Sequence, residues 1–472
     1  MESTNATPAE IAAAREASGP PPVTLWQILR GYRADPLVRW RQICEQHGPI
    51  ARYRVGGADV YLVASADGAE RVLKTNAANY DKQHGSFRML RRVFGNGLLT
   101  SEGSLWLRQR RLAQPAFHRE RLARMAERMV AAAEETAARW QAGAGAGRTV
   151  AMTEEMSRLT MKVVGDALFG SALSSRAAAV GEAWRVLNAQ LVERFNRRRL
   201  VPPILPTRYD REFRRARRTL IEVVDHVIAD RRSRKSDGEG DDLVTMFMSA
   251  RDEDTGERMS DGQIRDEVIT MLVAGHETTA LMLSWTWALL DCHPEVADRL
   301  RAELATSLGG RLPTASDVGA LRYTRAVLNE TLRLHPPAYL LNRHARADDV
   351  IEGCRVHRGG SVVVPVALLH RRPEYWERPN EFVPARWLDA DAEKRRPRFA
   401  YLPFGGGPHI CIGNGFSLME ATLVLATLAP RFEARLVGGM PAPEYRVLAR
   451  PAGDLPMTLS PRTSAAAAAA HS

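Results

Sequence analysis

The sequence predicts a mainly α-helical protein with a small β region. Residues 119–226 repeat apolar side chains at helical spacing almost throughout. A second long helix, which can run to about Asp291, begins at Ser260-Asp-Gly-Gln263, because a serine followed three residues later by glutamine is the capping-box pattern of a helix N-terminus. The β region begins with two β-rich runs, residues 50–55 and 60–64, that flank a pair of glycines and so predict a hairpin.

The chain has 472 residues, which would allow about three domains at roughly 150 residues each. No linker rich in proline, glycine and serine divides its interior, so we expect one large domain over residues 23–462. Residues 1–22 are expected to be disordered, and residues 463–472 form a low-complexity, alanine-rich tail. The hydrophobic fraction of 45% excludes the disordered and fibrous classes of protein.

The cysteines and the N-terminus indicate the cellular compartment. Cys44, Cys292, Cys354 and Cys411 lie far apart and form no Cys-x-x-Cys pair, which favours a reducing compartment over a secreted, disulfide-linked protein. The N-terminal segment lacks the apolar core of a signal peptide, and no uninterrupted apolar stretch of about 18 residues occurs. We therefore expect a cytoplasmic, monomeric protein without a membrane anchor.

The formal net charge of +11 raises nucleic acid or an acidic protein as a partner. Arginine is concentrated between residues 194 and 218, without interleaved aromatic repeats or zinc-finger spacing, so nucleic acid is not expected. Solvated faces of amphipathic helices explain these basic runs equally well. An acidic protein partner stays open.

Short elements are predicted before the long helical region. Three helices and one mixed loop are expected, over residues 26–32, 36–47, about 69–75 and 80–96 in turn. The next run places Trp106 and Arg110 four residues apart, and therefore on one helix face. An indole N–H beside a guanidinium can bind a carboxylate.

The centre of the second long helix is Ala274-Gly275-His276-Glu277-Thr278-Thr279. Its glycine costs about 1 kcal/mol of helix propensity against alanine, and Glu277 places a carboxylate in an otherwise apolar segment. Ala274 and Gly275 leave room for a bulky partner, and the Thr278 hydroxyl can bond the carbonyl four residues earlier and open the helix locally. Tight helix packing with a polar exposed edge is the alternative explanation.

Two further helices and a strand region follow. Pro294 begins a helix that ends near Gly309, and a helix over residues 321–334 carries Glu330 and Arg333, whose spacing lets them pair on one face. Such a pair carries little weight alone, because surface pairs of glutamate and arginine are common. Residues 340–364 alternate as strands around glycines.

Cys411 lies among glycines and a proline, just ahead of a helix-patterned run over residues 416–428. A loop that runs into a helix start points free N–H groups at an anion, so the pattern predicts a cysteine thiolate. A single thiolate suits haem iron, because the macrocycle already supplies four nitrogens. A buried free cysteine in a glycine turn is the alternative.

Three motifs, in their order along the chain, resemble the cytochrome P450 family. Residues 274–279 match its (Ala/Gly)-Gly-x-(Asp/Glu)-Thr-(Thr/Ser) motif, and Glu330 and Arg333 match Glu-x-x-Arg, followed by Pro-x-Arg at residues 384–386. Ala385 stands where the family often has glutamate. The haem-binding signature Phe-x-x-Gly-x-(Arg or His)-x-Cys-x-Gly is matched by Phe404, Gly407, His409, Cys411 and Gly413. The resemblance covers residues from about 25 to 460.

The resemblance implies the cytochrome P450 fold, a triangular helical domain that encloses one haem b (iron protoporphyrin IX). It assigns Cys411 as the iron ligand, Glu277 and Thr278 as the proton-delivering pair, and residues 202–206 as a mobile lid. A buried ion triad that fixes the cysteine loop is implied for Glu330, Arg333 and Arg386. Haem contacts are implied for the signature residues and for Trp106, Arg110, Arg343 and His409, and a substrate pocket for Phe87, Leu99, Ala274, Ala338, Tyr339 and Leu340.

The implied activity is a monooxygenase that inserts one oxygen atom of O2 into a C–H or C=C bond of a small apolar molecule of secondary metabolism, a lipid, terpenoid or polyketide. The chain has no flavin- or iron–sulfur-binding region, so electrons are expected from a separate ferredoxin or flavodoxin with its NAD(P)H reductase. Given the charge, that transient partner is expected to be acidic. Two alternatives stay open: a peroxide-driven haem enzyme of the same fold, and a non-catalytic haem sensor or carrier.

Overall fold

The computed structural model describes residues 5–21, 35–55, 57–83, 85–142, 147–170, 181–187, 189, 208–233, 242–252 and 254–462. Within these ranges helices dominate and the strands form small sheets, which confirms the expected fold class. The predicted helix over residues 26–32, the proline-rich break at 202–206 and the tail at 463–472 lie outside the described residues. Across the described ranges, no helix combines the length and the apolar character needed to cross a bilayer.

The helices are numbered in chain order. They are α1 (Pro8–Ala13), α2 (Pro36–His47), α3 (Ala66–Glu70), α4 (Gly85–Phe94), α5 (Gly103–Ala113), α6 (Arg119–Ala142), α7 (Met152–Phe169), α8 (Arg208–Ser233), α9 (Leu243–Ser249), α10 (Asp261–Cys292), α11 (Pro294–Leu308), α12 (Arg322–Leu334), α13 (Val366–Leu369), α14 (Ala390–Arg395) and α15 (Asn414–Leu428). A π-helical turn, Arg71–Thr75, continues α3.

The strands are β1 (Arg15–Glu16), β2 (Ile50–Val55), β3 (Ala58–Val63), β4 (Tyr80–Asp81), β5 (Arg148–Ala151), β6 (Leu341–Ala345), β7 (Asp349–Ile351), β8 (Cys354–Val356), β9 (Ser361–Val364), β10 (Phe432–Leu436), β11 (Pro443–Tyr445), β12 (Ala449–Pro451) and β13 (Pro456–Pro461). The largest sheet has the order β2-β3-β9-β6-β4. The predicted hairpin is its first pair, with Ile50 opposite Val63.

Helix α10 is the element around which the other helices pack. Its N-terminus has the expected capping box, since the Ser260 hydroxyl accepts from the Gln263 N–H while the Gln263 side chain accepts from the Ser260 N–H. At about 1.5 Å per residue its 32 residues span roughly 48 Å. It packs most extensively on α7 and also against α8, α12 and α15.

Residues 5–21, part of the segment 1–22 that was expected to be disordered, form secondary structure. In the described part, residues 5–21, Thr7 and Glu10 cap α1, and β1 pairs in parallel with β8. Gly19 lies so close to Arg52 that a Cβ atom would stand 1.6 Å from its carbonyl oxygen. A two-residue strand has no periodicity of its own, and its partner lies far along the chain, so no sequence pattern indicates this pairing.

The mixed loop expected over residues 80–96 was also wrong, because most of it is helix α4. Met89, Val93 and Phe94 are buried on one face of that helix. Three arginines, at positions 88, 91 and 92, lie between the apolar residues along the sequence. They make the helical spacing of the apolar residues hard to recognise. The helix matters for the site, because it brings Phe87 to the cavity wall described below.

Glu420 of helix α15 has its carboxyl group enclosed by the protein core. Its exposure is 0%, and neither of its carboxyl oxygens has a hydrogen-bond partner among the described residues. Burial raises its pKa well above the ordinary value. The group is therefore neutral in the folded protein at ordinary pH.

We expect Glu420→Gln to raise the Tm near pH 8 and to change it much less near pH 5. The unfolded carboxyl ionises near pH 4.5, whereas the folded one stays protonated, so the free energy of unfolding falls as the pH rises above that value. Glutamine has nearly the same shape and takes up no proton. Thermal unfolding of both proteins at the two pH values measures the effect, and an equal Tm difference at both would contradict it.

Candidate active site

A cavity of about 1360 Å³ lies between α10, the loop that carries Cys411 and strand β6. Ligand pockets commonly measure about 300 to 1,000 Å³, so this one has room for more than a single small molecule. The structure places Glu277 and Thr278 in its wall. It also brings together there all the residues expected to contact substrate: Phe87, Leu99, Ala274, Ala338, Tyr339 and Leu340.

The Cys411 loop is shaped by its own backbone. The Cys411 N–H donates to the Phe404 carbonyl at 2.9 Å, which closes the loop before α15 begins. The Cys411 side chain is exposed to the cavity, and the cavity lies inside the protein. Burial raises the pKa of the thiol, while the Gly413 N–H and the Arg110 guanidinium act in the opposite direction. A group that stabilises the thiolate directly, as a metal ion does, suits this position.

Two glycines of the loop, Gly407 and Gly413, serve different purposes. Gly407 has a φ of +68°, and a Cβ there would stand 1.7 Å from the Leu73 carbonyl oxygen, so only glycine lets the loop approach the π-helical turn. Gly407 is not among the residues that line the cavity, and its expected role as a haem contact stays a prediction. Gly413 has a φ of −88°, and a Cβ would meet only Cys411 Sγ and Phe117, both at 4.0 Å. The space beside the sulfur is thus open for a bound group.

Cationic side chains gather on one side of the same cavity. Lys82 and Arg343, at 5% and 7% exposure, line it together with Arg110 and His409. Burial and the positive charge of Arg343 lower the pKa of Lys82 to about 7. Burial also lowers the pKa of Arg343.

One carboxylate, Glu102, stands beside this cationic group. Glu102 lies 3.9 Å from Lys82 Nζ and 3.9 Å from His409 Nε2. Burial raises its pKa, so it balances the positive charge incompletely. The Nδ1 atom of His409 is buried without a hydrogen-bond partner among the described residues. A cavity with excess buried positive charge fits an anionic group, and with Cys411 opposite open space, these residues fit haem and its two carboxylates.

Trp106 and Arg110 lie where the clamp was expected, although their contacts differ from it. The Trp106 ring packs against His409 with centroids 3.9 Å apart and the ring planes tilted by 40°. Arg110 Nη1 donates to the Ile410 carbonyl at 2.8 Å, one residue before Cys411. Arg110 therefore supports the cysteine loop as well as facing the cavity.

Lys82 and Glu102 were not among the site residues predicted from the sequence. Lys82 follows β4, and β4 pairs with β6, which sets Asp81 opposite His344 and so brings Lys82 beside Arg343. A strand of two residues has no sequence signal. The N–H of Lys82 donates to Glu102 Oε1 at 3.0 Å, another contact between separate segments.

The opposite wall is the centre of α10. Thr278 Oγ1 donates to the Ala274 carbonyl at 2.7 Å, as the sequence predicted. The helix nevertheless continues to Cys292 without a break. A Cβ on Gly275 would stand 3.2 Å from the Val164 side chain, so the glycine also serves the packing of α7, which was the alternative explanation. The structure therefore supports the packing explanation, and the expected local opening of the helix is absent from this turn.

The structure brings the three members of the ion triad together outside the cavity. Arg333 and Glu330 are 0% exposed and form two hydrogen bonds, at 2.9 and 2.8 Å. Arg386 Nε donates to Glu330 at 3.0 Å. Trp387, which the sequence analysis missed, donates its indole N–H to the same carboxylate at 2.8 Å. Burial works to raise the pKa of Glu330, but Arg333, Arg386 and the Val383 N–H together outweigh it and the pKa is lowered.

His370 connects this triad to the cysteine loop. Its Nδ1 lies 3.2 Å from the Arg333 carbonyl, and its Nε2 accepts from the Leu402 N–H at 2.8 Å. Burial and the charge of Arg333 lower the pKa of His370 to about 3, so the ring is neutral and can donate at one nitrogen and accept at the other. Leu402 lies two residues before Phe404, so the triad helps to hold the start of the loop.

Comparison with known proteins agrees with this geometry. The cytochrome P450 family model matches residues 17–453. Cyclooctat-9-en-7-ol 5-monooxygenase of Streptomyces melanosporofaciens is 36% identical over 424 residues, which cover 88% of this chain and 89% of that protein. Pentalenene oxygenase of Streptomyces avermitilis is 33% identical over 405 residues, 85% of this chain and 87% of that protein. The crystal structure of the cytochrome P450DA heme domain superposes with a TM-score of 0.85 at 27% identity, covering 95% of this chain and 99% of that one.

Proposed function

Because the chain belongs to the cytochrome P450 family and is a monooxygenase, we propose that it hydroxylates an apolar terpenoid. The observation that carries this proposal is the character of the cavity wall around Thr278. The names of two relatives state a hydrocarbon and an alcohol as their substrates, pentalenene and cyclooctat-9-en-7-ol. Both names describe molecules with far more carbon than oxygen.

The wall near Thr278 is built almost wholly from hydrocarbon side chains. Its apolar residues come from the three helices α4, α7 and α10 and from the loop after α4, and include Phe87, Phe94, Leu98, Leu99, Val164, Leu168, Met271 and Val273. Burying a charged or strongly polar molecule against such a wall without hydrogen-bond partners costs about 2 to 7 kcal/mol for each polar group. A charged fatty acid or a sugar is therefore a poor fit, and a carbocyclic terpenoid is a good one.

The residues present fit haem, which when bound supplies the oxygen-binding iron and the oxidising chemistry. Cys411 would be the protein ligand of its iron. Lys82, Arg110, Arg343 and His409 would hold its carboxylates. The apolar wall would keep water away from the reacting C–H bond. Glu277 and Thr278 of α10 would hold the protons that the reaction needs.

Glu277 and Thr278 are proposed to deliver those protons. The balanced reaction takes the substrate, O2, two electrons and two protons to a hydroxylated product and one water. The Thr278 hydroxyl donates a hydrogen bond to the Ala274 carbonyl at 2.7 Å and borders the cavity. Rotation of this hydroxyl would direct its proton into the cavity. Glu277, one residue earlier in the same wall, can replace it. General acid catalysis of this kind contributes about 10²- to 10⁴-fold.

Electrons are proposed to come from a separate ferredoxin or flavodoxin with its NAD(P)H reductase. The Cys411 loop reaches the surface at Pro408 and Gly415, both exposed. Leu122 of α6 packs against Gly415, and Arg119 at the exposed start of α6 lies one turn earlier. A positive charge at this point, together with a net charge of +11, supports an acidic partner.

The test is NAD(P)H-dependent oxidation of a substrate panel with surrogate ferredoxin and reductase. Cyclic terpene hydrocarbons and alcohols should shift the ferric spin state and yield products that carry one atom from labelled O2. Fatty acids and sugars should do neither. Cys411→Ser, the matched control, should lose both the thiolate spectrum of the reduced carbon monoxide complex and the product.

Two outcomes would favour the alternatives. A haem-loaded protein that binds terpenoids but consumes no NAD(P)H with any partner would indicate a sensor or carrier. Product formed from hydrogen peroxide at the same yield in wild type, Glu277→Gln and Thr278→Ala would indicate a peroxide-driven enzyme.

Arg110→Ala should release haem faster than His409→Ala, and both should release it faster than wild type. The arginine is charged at every working pH and also supports the Ile410 carbonyl, whereas a histidine ring donates at most one hydrogen bond when neutral. Arg111→Ala is the matched control, because Arg111 is not among the residues that line the cavity and pairs instead with Asp252 and Asp254. Transfer of haem to an excess of a scavenging protein gives the rates, and equal rates in all four proteins would remove both residues from the site.

A further inference from the structure

A hydroxyl pair connects α10 to the helix that follows Cys411. Ser417 Oγ in the first turn of α15 lies 2.9 Å from Thr279 Oγ1. Thr279 is 0% exposed, and its hydroxyl donates to the Gly275 carbonyl at 3.1 Å. A hydroxyl has a single hydrogen, so Thr279 accepts from Ser417. The bonds therefore run from Ser417 to Thr279 and on to Gly275.

This series of hydrogen bonds is one of three sets of hydroxyl contacts at the same turn of α10. The carbonyls of Ala274 and Gly275 accept hydrogen bonds from the Thr278 and Thr279 hydroxyls, at 2.7 and 3.1 Å. The Thr160 hydroxyl lies 3.0 Å from the His276 carbonyl and 2.9 Å from the Met156 carbonyl of its own helix, and it can donate to either. Thr160 belongs to α7, which packs on one side of the turn, and Ser417 approaches from the other. Of the three threonines only Thr278 lines the cavity. The other two fix the turn, and Thr278 is left to act in the cavity.

We propose that Ser417 is a positioning residue for proton delivery, an inference that rests on the proposed role of Glu277 and Thr278. Ser417 lies six residues after Cys411 on a continuous loop and helix, so its place is tied to that of the iron ligand. Its hydrogen bond holds the turn that carries Glu277 and Thr278 at a fixed distance from the same segment. A misplacement of about 1 Å in a catalytic group can lower a rate about 10²-fold, which makes this distance consequential.

The proposal differs from a purely structural role in what it predicts for the reaction. A hydroxyl that only stabilises helix packing would lower the Tm when removed and leave the fate of the electrons unchanged. A positioning hydroxyl would also change that fate. Poor proton delivery lets O2 leave with two electrons and two protons as hydrogen peroxide, in place of product and water.

The experiment compares Ser417→Ala and Thr279→Val with wild type in the haem-loaded protein. We expect normal haem loading, NAD(P)H consumption near that of wild type, and product per NAD(P)H lowered about 2- to 10-fold, the factor given by one ordinary hydrogen bond. Peroxide should account for the difference. Combining the two substitutions should add little to Thr279→Val alone, in yield and in Tm, because Thr279→Val already removes the bond to Ser417 together with the bond to the Gly275 carbonyl. Thr279→Ser, which keeps the hydroxyl and is smaller, should retain the yield.

Thr422→Ala is the matched control on the same helix. Thr422 is also 0% exposed, and its hydroxyl donates to the Leu418 carbonyl of its own helix at 2.7 Å. This substitution should lower the Tm without changing product per NAD(P)H. A fall in yield equal to that of Ser417→Ala would show that any buried hydroxyl in α15 has this effect, and would overturn the proposal.

The outcomes separate this inference from the proposed function. Thr278→Ala with a lowered yield, beside Ser417→Ala and Thr279→Val with wild-type yields, would overturn the role of Ser417 and leave proton delivery by Thr278 in place. A wild-type yield in Thr278→Ala would overturn proton delivery itself. If Ser417→Ala does not accumulate with haem, Thr279→Val alone decides, since it removes the acceptor and leaves α15 unchanged.

Discussion

Arg333→Ala should give protein that does not retain haem, although Arg333 lies outside the cavity. The guanidinium is 0% exposed and bonds Glu330 twice, and it also donates to the carbonyls of His370, Pro379 and Glu381 at 2.8, 2.6 and 2.8 Å. Breaking a buried ion pair by removing one partner costs about 3 to 5 kcal/mol, because the other charge stays buried. Three backbone carbonyls lose a donor as well.

The effect should reach haem through the polypeptide that leads to Cys411. Arg333 orders the segment from His370 to Glu381, and His370 in turn holds the Leu402 N–H at the start of the loop. Without that support, the Cys411 loop and its hydrogen bond to Phe404 lose their fixed position. Haem content per folded chain and far-ultraviolet circular dichroism measure the loss.

Arg322→Ala is the matched control, because Arg322 is an exposed arginine in the first turn of the same helix. It should load haem as wild type does. Arg386→Ala should lie between the two, since that side chain is 10% exposed and makes one hydrogen bond to Glu330. A fully loaded, normally folded Arg333→Ala would count against the triad as the support of the loop.

The sequence predicted the elements whose signals are local. Helix α2 runs from Pro36 to His47 as expected, because proline starts it and Gly48 follows its last residue. The capping box of α10 and the hairpin of β2 and β3 were likewise found from a few adjacent residues. Strands β1 and β4 were missed, because strands of two residues are defined by their partners alone.

The site shows the same division between local and distant signals. Cys411 and Thr278 stand in compact motifs, and the structure places both at the cavity. Lys82, Glu102 and Ser417 owe their positions to contacts with segments far away in the chain. Spacing within one element cannot show which distant side chains meet, so no local pattern marks these three.

Gly407 has a role in the structure that its match to the family signature does not state. It matches the family signature, yet it contacts the Leu73 backbone and not the cavity. The residue is needed for the shape of the loop, and only the folded chain shows what the loop is shaped against. A substitution at Gly407 should therefore act on folding of the loop before it acts on any bound group.

Thr278→Ala should bind substrate, accept electrons and consume O2, and should fail to convert them into product. None of the first three steps requires the hydroxyl, whose one bond in the structure is to the Ala274 carbonyl of its own helix. Loss of a general acid lowers the assisted step by about 10²- to 10⁴-fold, so reducing equivalents should leave as hydrogen peroxide. The helix itself should not suffer, because alanine is the better helix former.

Product, peroxide and NAD(P)H measured together on one substrate test this expectation. Thr278→Ser, which keeps the hydroxyl, is the matched control and should retain most of the product yield. Thr160→Ala removes the neighbouring hydroxyl, which lies close to the His276 carbonyl and outside the cavity. This substitution should lower the Tm more than the product yield. If Thr278 only packs the helix, the alanine variant should form as much product per NAD(P)H as wild type, and that result would end the proton-delivery role of residues 274–279.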